Sequence, residues 1–269
     1  PPNIMIGSAA GLSFLDFILN TAPVVIVIMI AFIIVAKVIY GKKMLVEEAA
    51  INRVMQLDEK KAIENPALLK KSIVMIILVI LGFMLHSVIH IESCVVALTA
   101  ATIMLLIGKQ DVDEIIGEVE WTTIVFFTGL FVVVGGMVET GVIDQLANLI
   151  INLTADKPIM TMLILLWASA LLSCILDNIP FVATLIPLII AMGNSGIDVA
   201  PLWWAISLGA CLGGNGTLIG ASANVVLSGI SAKHGHPITF NQFLKVGFPT
   251  MIMSVAISTV YLVLRYGIL

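Results

Sequence analysis

Eight stretches of the chain contain no Asp, Glu, Lys or Arg: 17–36, 72–91, 93–108, 121–138, 158–176, 178–197, 199–232 and 246–264. A helix that crosses a hydrocarbon core needs roughly 20 apolar residues. The pattern therefore predicts an all-α polytopic membrane protein. Two of the apolar regions are interrupted. Between 158 and 197 the run is broken by Asp177-Asn178-Ile179-Pro180. Proline has no amide donor and pushes the preceding residue out of helical geometry. This predicts a re-entrant helical hairpin over 158–197 with Asp177 and Asn178 at its tip. The plainer reading, a kinked helix with Asp177 as N-cap of the second arm, is compatible with it. Between 199 and 232 the interruptions are Gly213-Gly214-Asn215-Gly216-Thr217 and Gly220-Ala221-Ser222-Ala223-Asn224. Glycines let the backbone unwind, and short polar side chains satisfy the freed groups. That predicts two half-helices around a non-helical centre, although small residues also serve close helix packing. Residues 142–153 alternate at helical spacing and read as an amphipathic helix along the outer surface. Trp203-Trp204 read as an interfacial anchor.

One passage occurs twice. Asn3-Ile4-Met5-Ile6, Phe14, Phe17 and Pro23 correspond to Asn224-Val225-Val226-Leu227, Phe240, Phe243 and Pro249. The offset is 226 for the phenylalanines and proline and 221 for the asparagines, so one five-residue insertion near Lys233-His234-Gly235-His236 accounts for the difference. Internal repeats in an apolar chain point to a transporter built from two related halves, with its site where they meet. The first copy begins mid-motif, so the chain is read as the C-terminal part of a longer protein.

The charges fix an orientation. Lys37, Lys42, Lys43, Arg53, Lys60, Lys61, Lys70 and Lys71 are eight of the 13 basic residues and cluster around 41–71. The positive-inside rule makes that loop cytoplasmic. Following the spans onward, 17–36 runs outside to inside and 246–264 runs inside to outside, as an inverted-topology repeat requires. The organisation expected is therefore the end of a first, truncated repeat in 1–40, a cytoplasmic loop in 41–71, and a second repeat in 72–269. That second repeat holds three spans, the hairpin 158–197, the broken helix 199–232 and a last span 246–266. Composition agrees: 11% of the 269 residues are charged, against about a quarter in soluble domains. The three cysteines, Cys94, Cys174 and Cys211, have no metal or redox spacing and read as small buried hydrophobes.

A carboxylate inside a membrane protein costs a few kcal/mol unless it faces protein or water, which makes Asp177 a functional candidate. Asn178, Pro180 and Thr184 accompany it. In the broken helix the candidates are Gly213, Gly214, Asn215, Gly216, Thr217, Gly220, Ser222 and Asn224. The first free amides of a half-helix suit an anion. Side-chain and main-chain oxygens suit a hard cation, with Na⁺ at Asn178, Asn215, Thr217 and Asn224. Pro2 and Asn3 are the counterpart in the first repeat. Glu139, at the end of a span, is a candidate for proton coupling that a helix end at the interface explains equally well.

These residues resemble the arsenite permease, NhaD-type Na⁺/H⁺ antiporter and P-protein group of citrate-transporter-like permeases. The resemblance covers the whole chain and about the last 60% of a family member. It rests on Pro1-Pro2-Asn3-Ile4-Met5-Ile6-Gly7-Ser8, on Trp121 through Glu139-Thr140-Gly141, on Leu176-Asp177-Asn178-Ile179-Pro180-Phe181, and on Gly213 through Asn224. It implies a fold in which a re-entrant hairpin and a broken helix from each half surround a central site. The first hairpin, and the glycine-threonine run before Pro1, are absent from the sequence. The wider group also implies a homodimer.

The function expected is secondary active transport of a small inorganic ion or oxyanion, coupled to Na⁺ or H⁺, in the cell membrane. Na⁺/H⁺ antiport and citrate or dicarboxylate transport are the alternatives, and a channel would look alike in sequence. No Arg lies inside a span to grip a carboxylate bidentately, which favours inorganic ions. Enzymatic activity is not expected. Gly220-Ala221-Ser222 resembles a buried serine nucleophile only superficially, since its nearest downstream histidines, His234 and His236, fall in a loop. No other cofactor, no resident metal and no nucleic acid is expected. The partners expected are lipid, the transported ion, the missing N-terminal half and a second copy of the chain.

Overall fold

The computed structural model describes residues 2–41, 55, 63, 65–89, 91–109, 111–154 and 157–267. Most of the expected cytoplasmic loop therefore lies outside the described residues. Twelve helices are described: α1 Pro2–Ala10, α2 Phe14–Tyr40, α3 Pro66–Ile89, α4 Ser93–Gly108, α5 Val112–Gly117, α6 Trp121–Glu139, α7 Val142–Thr154, α8 Pro158–Ser173, α9 Asn178–Asn194, α10 Ala200–Gly213, α11 Ser222–Lys233 and α12 Phe240–Tyr266. Four of them, α2, the Pro66–Leu85 part of α3, α6 and α12, are long and apolar enough to cross a membrane. Their large apolar side chains are widely exposed: Ile26 58%, Ile33 57% and Ile34 57% on α2, and Val74 57% and Ile76 58% on α3. Such continuous apolar surface suits lipid or further protein rather than water.

The chain forms two compact units. The smaller comprises Ser13–Leu15 and Ala31–Trp121. Within it α3 packs on α4, where the Lys71 ammonium donates to the Ile107 carbonyl at 2.7 Å. Asp111 caps the short α5 by accepting from the amides of Asp113 and Glu114.

The larger unit comprises Pro1–Leu12, Asp16–Ile30 and Thr122–Leu269. Its centre is α10, which packs on α8, α12, α9 and α1. α10 is buried along most of its length, including Trp203 and Trp204. A helix apolar on every side belongs in a core. The tryptophans are thus core residues rather than the interfacial anchor expected; Trp204 meets Phe17 edge to face at 5.2 Å. α7 shows the amphipathic pattern expected of it. Its stripe Ile143, Ala147 and Thr154 is buried and packs on α9 and α8, while Leu146, Leu149 and Leu153 stay exposed. Cys94 is exposed, whereas Cys174 is buried.

The sequence repeat returns as a structural one. α2 and α12 each have 27 residues, each begins at a phenylalanine, and each contains a proline at its tenth position, Pro23 and Pro249. Their boundaries stand 226 residues apart at both ends, and each follows a short helix that carries the repeated asparagine in its first turn. The inserted residues are shared between the end of α11 and the connection to α12. Thr239 closes that connection with a capping box to Gln242. At the far end of α12, the Tyr261 hydroxyl donates to the Asn20 carbonyl of α2 at 2.7 Å.

Candidate functional site

The two interruptions are both present. α8 ends at Ser173 and α9 starts at Asn178, leaving a turn at 174–177. α10 ends at Gly213 and α11 starts at Ser222, leaving 214–221 unwound. Asp177 is the N-cap of α9, its carboxylate accepting from the Ile179 amide at 3.1 Å. The capping role and the turn position therefore coincide. Asp177 is exposed, and Asn178 and Pro180 are half-buried. The Thr184 hydroxyl donates back to the Phe181 carbonyl at 2.7 Å, one turn into the arm.

Two faces of α10 do different work. One carries Gly209 and Gly213, which lie against the backbone of α8. A Cβ at Gly209 would stand 2.5 Å from the Leu166 carbonyl oxygen, and one at Gly213 2.5 Å from that of Ala170. The contact continues past the helix end: a Cβ on Gly216 would meet the Cβ of Cys174 at 2.8 Å, and one on Gly220 the Cys174 carbonyl at 2.9 Å. The Ser173 hydroxyl donates to the Ala210 carbonyl at 2.8 Å in the same seam. Close packing of small residues thus accounts for Gly213, Gly216 and Gly220.

The other face bears Ser207, Cys211 and Gly214, spaced four and three apart and so aligned on a helix. Both repeated asparagines attach here. Asn3 on α1 accepts from the Ser207 hydroxyl at 2.8 Å and from the Cys211 thiol at 3.4 Å. Asn224 on α11 donates to the Gly214 carbonyl at 2.9 Å and to the Thr217 carbonyl at 3.1 Å. Both hydrogens of its amide nitrogen are engaged, so its carbonyl oxygen is the polar atom that these bonds do not use. The Thr217 hydroxyl donates to the Cys174 carbonyl, joining the unwound segment to the turn that carries Asp177. Asn215 and Ser222 are exposed, and Pro2 is buried. The Asn215 carbonyl approaches Gly247 of α12, where a Cβ would stand 2.5 Å from it.

Asn3, Asn224, Thr217 and the 174–177 turn are therefore gathered around one end of α10. Glu139 is exposed at the end of α6, a helix that shares no extensive packing with α8–α11. Ser207, Cys211 and Ser173 were not anticipated; a polar spacing of four within an apolar helix was the only sign of the first two. Ser222 and His234 sit at opposite ends of α11, roughly 18 Å apart by the rise per residue, too far for the two to act as a pair.

Replacing Asn3 with alanine removes the partner of the Ser207 hydroxyl, and a stability loss of about 1 kcal/mol is expected. Thermal unfolding in detergent checks this; an unchanged transition would mean that Asn3 does not hold α1 on α10.

A family model described as citrate transporter matches residues 1–209. A protein of Mycobacterium bovis described as an uncharacterized transporter is 42% identical over the whole chain, which spans 63% of that relative. The 46 kDa membrane protein of Mycobacterium leprae is 38% identical over 99% of the chain, which again spans 63% of it. The human P protein is 36% identical over 79% of the chain and 27% of its own length. No solved structure matches. The chain thus spans less than two thirds of these relatives. Family match, relatives and membrane-length helices agree: the chain belongs to the citrate transporter family and is part of an integral membrane protein.

Proposed function

We propose that the chain carries the second-repeat half of the site of a secondary active transporter. The cargo is a small inorganic ion or oxyanion, moved by alternating access and coupled to Na⁺ or H⁺. The observation that carries this reading is the pair of repeat-related asparagines on one face of α10, beside an unwound segment and a turn bearing a carboxylate. Broken helices meeting at a repeat interface are the usual ion and substrate sites of such transporters. The expected orientation, with 41–71 cytoplasmic, the cell-membrane location, the homodimer and the need for the N-terminal half belong to the same proposal.

Na⁺/H⁺ antiport is a second reading, favoured by the exposed carboxylate of Asp177 next to the break. The family description brings a third, citrate or another polycarboxylate. The chain has two arginines, Arg53 outside the apolar stretches and Arg265 in the last turn of α12. Neither lies mid-span, which counts against it, because bidentate pairing is the strong way to hold a carboxylate.

The test uses the full-length protein in sealed proteoliposomes under an imposed Na⁺ gradient. Internal pH is followed with a dye, and uptake of arsenite and of citrate is measured in parallel vesicles. A Na⁺-driven pH change identifies exchange, and arsenite uptake identifies an oxyanion cargo. Citrate uptake alone would return the third reading. No flux of any kind in vesicles that hold their gradient would remove the transporter proposal.

A further inference from the structure

Thr217 stands among the candidate cation ligands, yet the fold uses its polar atoms otherwise. The residue is 5% exposed. Its hydroxyl donates to the Cys174 carbonyl. Its own carbonyl accepts from Asn224 Nδ2 at 3.1 Å and from the Gly220 amide at 3.2 Å. Cys174 is the first residue of the turn that ends in Asp177.

We infer that Thr217 is a positioning residue: it latches the 174–177 turn to the unwound segment 214–221, so that the two move as one body, and it does not ligate the transported or coupling ion. The functional consequence rests on the transporter reading above; the latch itself does not.

Three features of the seam support this. The hydroxyl's one hydrogen is committed to a main-chain carbonyl, and at 5% exposure its oxygen lone pairs are closed off from solvent as well. The backbones on either side are already in contact, since Gly216 and Gly220 leave no room for a Cβ against Cys174. One step back along α8, Ser173 makes a parallel tie to Ala210. Seam and latch thus form a continuous line of contact from Leu166 to Cys174 on one side and from Gly209 to Gly220 on the other. Removing the hydroxyl leaves a buried carbonyl without that donor, and such unmade bonds are more damaging than the bond's net contribution suggests.

The experiment compares Thr217→Val, which keeps the side-chain shape and removes the O–H, with Thr217→Ser, which keeps the O–H. Both are made in the full-length protein in proteoliposomes. In the valine variant the maximal flux is expected to fall about tenfold, with half-saturating ion and substrate concentrations within about twofold of wild type. Serine restores most of the flux. Amide hydrogen exchange at 174–177 and 214–221 is expected to rise together in the valine variant alone. A rise of about tenfold in the half-saturating cation concentration at unchanged maximal flux would make Thr217 a ligand and overturn the inference. Exchange that stays at wild-type level, or rises in only one segment, would also overturn it. If the wild-type protein moves no cargo, the transporter reading fails, and the exchange comparison still decides the latch.

Discussion

On the Na⁺/H⁺ antiport reading, Asp177→Asn is expected to abolish ion–proton exchange by the full-length protein, by roughly a hundredfold or more, the scale on which a proton-carrying group contributes. The substitution is chosen because it separates charge from structure. Asp177 Oδ1 accepts from the Ile179 amide at 3.1 Å and starts α9. Asparagine caps a helix about as well as aspartate, so α9 and the turn before it should keep their geometry. The side chain is exposed in the described chain, so no packed neighbour depends on its shape. Asp177→Ala removes both the charge and the cap, and should lose about 1 kcal/mol of stability in addition. The measurement is the Na⁺-driven change of internal pH, read beside thermal unfolding of each variant. Exchange that survives in a folded Asp177→Asn protein would remove the carboxylate from the mechanism and leave it a helix cap.

The second large effect concerns the seam between α8 and α10. Gly213→Leu is expected to destabilise the protein by roughly 3 kcal/mol or more, at or above the upper end of overpacking penalties. A Cβ at this position would lie 2.5 Å from the Ala170 carbonyl oxygen and 2.8 Å from the Ala170 Cα. Those are backbone atoms, so no side-chain rotation relieves the clash, and the helices must separate. Separation also opens the Gly209–Leu166 approach one turn away and pulls on the Ser173–Ala210 hydrogen bond. Gly135→Leu on α6 is the control, because nothing lies within 4 Å of a Cβ there. Apparent melting temperatures in detergent should fall for Gly213→Leu and change little for Gly135→Leu. Equal behaviour of the two would mean that α8 and α10 are not in backbone contact.

Much of the fold was legible without coordinates, and the reason is that its rules are local. A charge inside a hydrocarbon layer is costly at every position, so charge-free stretches mark helices wherever they occur. The stretch 93–108 returns as α4, Ser93–Gly108, and 121–138 falls within α6, Trp121–Glu139. Proline and glycine act on their own backbone, so the breaks at 174–177 and 214–221 could be read from Pro180 and from the Gly213–Gly220 run. The repeat was visible because a helix start, a proline within the helix and an asparagine recur at nearly constant spacing. It became a pair of 27-residue helices 226 residues apart.

What each residue of the site does was decided only by tertiary structure. Asn3 meets Ser207 across 204 positions, and Thr217 meets Cys174 across 43. No local rule relates residues so far apart. Glycine permits both an unwound backbone and a close helix crossing, and sequence alone left those two readings of Gly213, Gly216 and Gly220 open. The neighbouring α8 resolved them toward packing. Trp203 and Trp204 were misread for the same reason: a tryptophan near the start of an apolar helix suits the membrane interface unless other helices cover it, and here α10 is covered on all sides. The one-dimensional pattern determined which segments leave water and where their helices break, because solvation and backbone geometry act residue by residue. The fold alone decided which of those residues hold the protein together and which are gathered at the candidate site, because that depends on which surfaces meet.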